Sequence, residues 1–256
     1  LKAIVIACGT VSTTALDVLA AENELPVLGV VAPAAQAAAR ATRNGRIGLI
    51  GTQASIRSGA YERCIEQARP GTQVLPQPCP LFVPLVENGR FAPGDVVIET
   101  VAAEYLAPLK QAGVDTLVLG CTHYPLLESV IGNYMGPGVT LVSAGAEGAR
   151  AVAETLRERS ALAGGRGRGA CRYFVSDRVE DFSRLASIFL GSSGAVMDLS
   201  VDICSAVNEV VDKRPDISRR DAVRSGMNVG RAAMGTMTTT LLLAYSGGYV
   251  ALLMVF

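Results

Sequence analysis

The sequence predicts an α/β protein built on parallel sheet, with a mainly helical, partly apolar segment at its C-terminal end. Three observations carry this. Short apolar runs alternate with helical patterns over residues 1–142, the alternation that builds βαβ units. Two of the runs lead into the same local pattern: Ile4-Val5-Ile6-Ala7 into Cys8-Gly9-Thr10, and Leu117-Val118-Leu119-Gly120 into Cys121-Thr122. After Gly191 the composition shifts to Gly, Ser and small residues, and Met197, Met227, Met234, Met237 and Met254 are five of the chain's six methionines.

The elements follow in order. Strands are expected at Lys2–Ala7, Val27–Val31, Ile47–Ile50, Gln73–Leu75, Thr116–Leu119 and Thr140–Val142, each a short β-branched or aliphatic run. Helices are expected at Ser12–Ala21, Pro33–Arg43, Ser55–Arg69, Leu81–Glu87, Pro93–Gln111, Pro125–Met135 and Ala144–Arg159. Leu162–Ala170 reads as a Gly/Arg linker. Arg172–Val175 is one more expected strand and Glu180–Leu190 an amphipathic helix.

In a parallel sheet, ligands gather beyond the C-terminal ends of the strands. Cys8, Thr52 and Cys121 all fall there. A thiol facing a helix N-terminus meets positive charge, which favours thiolate. Two such thiols across a cleft suit one reaction: removing a proton from one face of a carbon and returning one to the other. A carbon between them sets a sulfur separation of roughly 6–9 Å, two near-attack distances. A lone strand-end cysteine is more often a small packing residue. The repeated context argues against that here, and so does His123, the chain's only histidine, two residues after Cys121. Thr52 and Ser55 also read as helix N-caps, a role compatible with binding. The alternative for His123 is a core histidine bonded to a carbonyl.

Composition narrows the function classes. Lys plus Arg and Asp plus Glu both number 23, so no electrostatic case exists for nucleic acid or an anionic membrane surface. Lys2, Lys110 and Lys213 are the only lysines, and none sits in a Schiff-base context, which argues against pyridoxal phosphate. Six cysteines without a CxxC pair, and one histidine, give no metal pattern. No cofactor is expected. Reduced thiols fit a cytoplasmic protein, and no signal peptide is visible.

The segment Gly120-Cys121-Thr122-His123-Tyr124-Pro125-Leu126-Leu127 resembles the second-cysteine motif of bacterial glutamate racemases. Ile4–Ser12 is similar to that family's first-cysteine motif, where Asn is commoner at position 9. Asn44–Ile56 with Ser58-Gly59-Ala60-Tyr61, and Cys79–Gly89, are similar to two further stretches. These motifs fall in the family's order over about residues 1–191. The resemblance implies doubly wound parallel-sheet domains of the aspartate/glutamate racemase type: a first domain of 1–32 plus 144–191 and a second of about 33–143. It implies cofactor-independent interconversion of L- and D-glutamate for peptidoglycan synthesis, with a homodimer of the racemase part as an open expectation. Cys8 and Cys121 would work on opposite faces of the substrate. Gly9, Thr10, Thr122 and His123 would hold it, Thr52 and Ser55 would line its carboxylate pocket, and Glu87 would support the second thiol. Related racemases acting on aspartate or a hydantoin are the alternative, and the His-Tyr-Pro after Cys121-Thr122 favours glutamate. The family's opening strand with Asp-Ser-Gly and a later Tyr-Gly pair have no counterpart. The chain starts at Leu1 within the strand leading to Cys8, so an incomplete first domain and impaired activity are expected.

Residues 192–256 carry a second resemblance. Ser193–Asp198, Pro215–Ser218, Ser225–Arg231 and Met234–Tyr245 are similar to YibE/F-like membrane proteins, for which transport has been suggested. Met237–Phe256 has no charged residue and approaches the ~20 residues of a membrane span; a buried helix of a soluble protein is the alternative. Gly235, Gly247 and Gly248 suit close helix packing in a bilayer. A chimeric gene product is expected, with a membrane-embedded protein carrying an inactive racemase remnant as the rival reading.

Overall fold

Two parallel sheets hold the strands. β1 (Ile4–Ile6) pairs with β2 (Val27–Gly29), in register Ile4 to Val27. The larger sheet runs in the order β4-β3-β5-β6, from β3 (Arg46–Gly51), β4 (Gln73–Pro78), β5 (Thr116–Leu119) and β6 (Thr140–Ser143), all parallel. The computed structural model describes residues 1–163, which fall within a unit spanning Leu1–Ala170. The expected strand Arg172–Val175, the helix Glu180–Leu190, the segment 192–256 with its span Met237–Phe256, and Cys171 and Cys204 lie outside the described residues.

β3 and β5 are central strands, and their sequences show why. Ile47, Leu49, Ile50, Leu117 and Val118 are wholly buried, as near-continuous apolar runs in a sheet covered on both faces must be. Ile47, Leu49 and Val118 form a cluster with Val31, Ala34, Ala35 and Ala38 of α3 (Val31–Ala41) and Tyr61 and Ile65 of α5 (Ala60–Ala68). Alanines on the buried face of α3 let these helices lie close. On the other side of the pleat, Gly48 leaves room for Leu117 and for Leu109 of α7 (Val96–Gln111); a Cβ there would stand 2.8 Å and 3.3 Å from their Cδ1 atoms.

Helix ends follow local chemistry. Cys8 is the extended N-cap of α1 (Gly9–Thr14), and α2 (Leu16–Ala21) follows after a break at Ala15. The helix expected over Ser12–Ala21 is thus two helices, the first starting at Gly9. The expected helix Ser55–Arg69 is likewise two, α4 (Gln53–Arg57) and α5, because Gly59 turns the chain at φ +63°. Asp95 caps α7 by accepting from Val97 N–H at 2.9 Å, so that helix begins three residues after the expected Pro93. α6 (Phe82–Glu87), a 3-10 turn (Tyr124–Leu127), α8 (Glu128–Met135) and α9 (Ala144–Glu158) complete the described chain.

The order of the larger sheet locates a crevice. From β3 the chain crosses to β4 on one side, then returns past β3 to β5 on the other. The winding reverses between β3 and β5, and such a switch point opens a crevice beyond the strands' C-terminal ends. Thr52 directly follows β3, and Gly120-Cys121 directly follow β5.

Candidate active site

The β1–α1 loop comes down onto this crevice. Ser12 holds it to the small sheet: its buried hydroxyl donates to Ile6 O at 2.8 Å and accepts from Val30 N–H at 3.4 Å. Gly9 then lies against Gly120, so close that a Cβ on Gly9 would stand 2.5 Å from the Gly120 carbonyl oxygen. The bare glycine leaves this approach unobstructed in this chain. It brings the residues flanking each glycine, Cys8 and Cys121, to one place. Cys8 is exposed and Cys121 half-buried.

Three predicted hydroxyls converge beside them. Thr10 Oγ1 is 2.9 Å from Thr52 Oγ1 and 3.3 Å from Ser55 Oγ, and Thr52 Oγ1 is 3.1 Å from Ser55 Oγ. Thr52 is also the N-cap of α4, accepting from Ser55 N–H at 3.3 Å. Capping and site membership therefore coexist at Thr52, while Ser55 sits inside the helix, buried.

On the second-thiol side, His123 lies between an acid and a sulfur. Its Nε2 is 2.9 Å from Glu87 Oε1, while Nδ1 is 3.7 Å from Cys121 Sγ and 3.3 Å from Thr122 Oγ1. Glu87 closes α6, and His123 precedes the 3-10 turn. Packing fixes these two elements together: Phe82 meets Tyr124 and Tyr105 edge-to-face at 5.3 Å, and Tyr124 Oη donates to Cys79 O at 3.1 Å. Edge-to-face rings resist sliding, so Glu87 and His123 keep their approach.

The electrostatics depart from expectation at Cys121. The sequence reading had a helix N-terminus lowering this thiol. A bend and a 3-10 turn follow it instead, and burial pushes the thiol up. Hydrogen bonds from His123 N–H and from Thr122 oppose the shift, and charge on Cys8 adds to it. Desolvation disfavours a thiolate more than these three bonds, one from His123 and two from Thr122, favour it. The effect of Cys8 on Cys121 fits two thiols sharing one crevice.

The structure brings together all nine predicted site residues except that Glu87 reaches the thiols only through His123. Sequence reasoning passed over two residues. Gly120 sits tight against β3, where its own Cβ would stand 2.8 Å from Ile50 O; a glycine between a buried strand and a cysteine is the signal for it. Tyr61, wholly buried, lies beneath Gly120, and its hydroxyl has no hydrogen-bond partner among the described residues. The remaining described cysteines stand apart from this chemistry. Cys79 is buried with its Sγ 3.5 Å from Gln77 O, and Cys64 is mid-helix in α5 with its thiol raised by burial.

A parallel α/β sheet with paired cysteine loops at a switch point defines a class, and the comparisons agree with it. The family model Asp/Glu/Hydantoin racemase matches residues 1–152. The chain belongs to this family and is by family an amino-acid racemase, an isomerase. The glutamate racemase of Geobacter metallireducens is 46% identical over 203 residues, 79% of this chain and 74% of that protein. The crystal structure of glutamate racemase isoform RacE1 from Bacillus anthracis superposes with a TM-score of 0.70 at 36% identity, covering 75% of this chain and 71% of that one. Glutamate racemase from Francisella tularensis in complex with D-glutamate gives 0.67 at 30% identity, covering 74% and 70%. A second family model, YibE/F-like protein, matches residues 181–256. It begins before Ser193, where the sequence reading placed that resemblance. Among the described residues no helix is long and apolar enough to cross a membrane.

Proposed function

We propose that this chain interconverts L- and D-glutamate without a cofactor, with Cys8 and Cys121 exchanging protons at opposite faces of the substrate Cα. One thiolate takes the α-proton while the opposite thiol delivers its own to the other face. Charge is thus conserved across the pair, and the roles reverse for the other enantiomer. The observation that carries the reading is the Gly9–Gly120 approach, which brings two cysteine loops of matching sequence to one crevice. Relatives that are glutamate racemases support the substrate.

The remaining site residues take roles consistent with their positions. Thr10, Thr52 and Ser55 offer hydroxyl donors to a substrate carboxylate, and Thr122 and the backbone N–H groups of Gly9 and Thr10 add to them. Donors aimed at the α-carboxylate stabilise the charge that develops as the proton leaves. His123 donates Nε2–H to Glu87 and so presents its Nδ1 lone pair to the Cys121 thiol. This helps a desolvated thiol to ionise. In this reading, among the described residues, 1–32 and 144–163 belong to one domain and about 33–143 to the other. The activity is cytoplasmic and supplies D-glutamate to peptidoglycan.

The test is to incubate the purified full chain with either enantiomer of glutamate in D₂O. Deuterium at Cα together with conversion of both enantiomers supports the proposal. Exchange of aspartate in preference to glutamate would move the substrate assignment, and no exchange of either would remove the reading. The YibE/F-like match to residues 181–256 favours a second reading, a membrane-associated protein with an inactive racemase region. Recovery of the chain only in a membrane fraction, without exchange, would support it.

A further inference from the structure

We propose that Tyr61 is a positioning residue for the second thiol: its buried hydroxyl hydrogen-bonds the Cys121 sulfur through one water held under the crevice floor. The proposal rests on the two-thiol reading above and deepens it.

Geometry directs the hydroxyl to that place. Tyr61 is wholly buried, and its Oη has no hydrogen-bond partner among the described residues. Buried polar groups in folded proteins are nearly all bonded to protein or to ordered water, so this hydroxyl calls for a partner. The core offers none. The residues buried with it, among them Val31, Ala35, Leu49 and Val118, are aliphatic. The crevice side is different. Tyr61 Cε2 lies 3.5 Å from the position a Cβ on Gly120 would take. Cε2 is bonded to the carbon that carries the hydroxyl, so the phenol end of the ring, not its base, meets Gly120. The next residue is Cys121.

The hydroxyl and the Cys121 sulfur are not in direct hydrogen-bond contact. One water, accepting from Oη and donating to Sγ, spans the pair, and two polar partners are enough to hold a buried water. Charge fits the same arrangement. Burial pushes the Tyr61 phenol up, and charge on Cys121, then Cys64, then Cys8 adds to this. The phenol therefore keeps its proton while a thiol gives one up, and it remains a donor. Tyr61 touches no substrate atom in this role. It acts through Cys121, whose thiolate is disfavoured by burial. The other titratable groups at Cys121 are Cys8, Tyr124, and His123 with Glu87 behind it.

The test uses the full chain and Tyr61→Phe, which keeps the ring and removes only the hydroxyl. Alkylation by iodoacetamide across pH, read at each cysteine by peptide mapping, needs no turnover. A hydrogen bond to a charged group is worth about tenfold or more, so the Cys121 midpoint should rise by about one pH unit. The Cys64 midpoint should stay where it is. In glutamate exchange, kcat should fall by about tenfold with KM little changed. A hydroxyl that only supports the fold would lower the melting temperature and leave the Cys121 midpoint unmoved, and that result would overturn the proposal. A shift at Cys64 without one at Cys121 would overturn it too. If Tyr61→Phe does not fold, a crystal structure of the wild-type chain decides: a water between Tyr61 Oη and Cys121 Sγ supports the proposal, and its absence removes it. A raised Cys121 midpoint in a chain whose wild type exchanges no glutamate would leave the Tyr61 contact standing and remove the proposed reaction.

Discussion

Glu87 Oε1 and His123 Nε2 lie 2.9 Å apart although 36 residues separate them, and the other ring nitrogen of His123 faces Cys121 Sγ at 3.7 Å. The acid fixes the ring, and the ring faces the thiol. Glu87→Gln keeps the shape and removes the charge. Loss of one charge-assisted hydrogen bond, about 1.5 kcal/mol, corresponds to about tenfold in rate. Glutamate exchange by Glu87→Gln should therefore fall by about tenfold with KM little changed. An unchanged kcat would show that the Glu87–His123 contact is structural only.

The two crevice cysteines should separate cleanly from the others. Cys8→Ser or Cys121→Ser should lower exchange by about 10²-fold or more, the usual cost of losing a catalytic acid or base. Cys64→Ser should leave it largely intact, because that thiol lies mid-helix in α5 and packs against the hydrophobic core. The check is kcat for each variant with folding confirmed by circular dichroism. A large loss from Cys64→Ser alone in a folded protein would contradict the assignment.

Burial pushes the Cys121 thiol up, and charge on Cys8 pushes it further. An ordinary thiol titrates near about 8.5. Alkylation of Cys121 by iodoacetamide should accordingly reach its half-maximal rate above that pH, and Cys8→Ser should bring the midpoint down. The sign for stability follows from the same shift. The folded thiol holds its proton where the unfolded one has released it. Its contribution is therefore complete below the unfolded value and is lost as pH rises through the folded one. A midpoint below the ordinary value would instead support the helix-dipole effect expected from sequence.

Legibility in the sequence tracked burial. β5 was read residue for residue at Thr116–Leu119 because it is buried throughout and bounded by Asp115 and Gly120. The break between α4 and α5 escapes periodicity because periodicity ignores a glycine, and Gly59 carried the missing signal; the break at Ala15 has no glycine to mark it. Cys8, Thr52 and Cys121 were legible because strand ends in a parallel sheet are where ligands gather. Glu87 was reached only through family resemblance, since nothing local in Val86-Glu87-Asn88 points to a histidine 36 residues away. The Gly9–Gly120 approach joins two loops from different sheets, and no local pattern encodes such a meeting.

Asp115 ties the opposite end of the sheet together. Its carboxylate accepts from Thr42 Oγ1 at 2.6 Å, from Arg43 N–H and Asn44 N–H at 2.7 Å each, and from Thr116 Oγ1 at 3.1 Å. Burial alone would raise this carboxyl; those hydrogen bonds outweigh it and hold the group below the usual range. Asp115→Asn should cost about 1.5–3 kcal/mol of stability at neutral pH, the worth of hydrogen bonds to a charged group. The folded value is depressed, so the stabilisation is complete above the unfolded value of about 3.9 and is lost as pH falls through the lower folded one. Urea melts of both proteins across this range should converge in acid. A constant difference at every pH would mean that the charge contributes nothing.

Thr52 has two roles, and Thr10 offers the means to separate them. Both hydroxyls belong to the trio with Ser55, but only Thr52 caps a helix. Valine matches threonine in shape and removes the hydroxyl. If the trio binds a substrate carboxylate, each hydroxyl contributes a hydrogen bond to a charged group, about 1.5–3 kcal/mol, or at least about tenfold in affinity. Thr10→Val and Thr52→Val should then both raise KM for glutamate by about tenfold or more. Stability should tell them apart. Loss of the cap on α4 costs about 1 kcal/mol, a penalty Thr52→Val carries and Thr10→Val escapes. Thermal melting alongside steady-state kinetics provides both readouts. If Thr52→Val destabilises the protein while KM stays at the wild-type value in both variants, the trio is a structural device around the α4 cap, and the carboxylate binds elsewhere in the crevice.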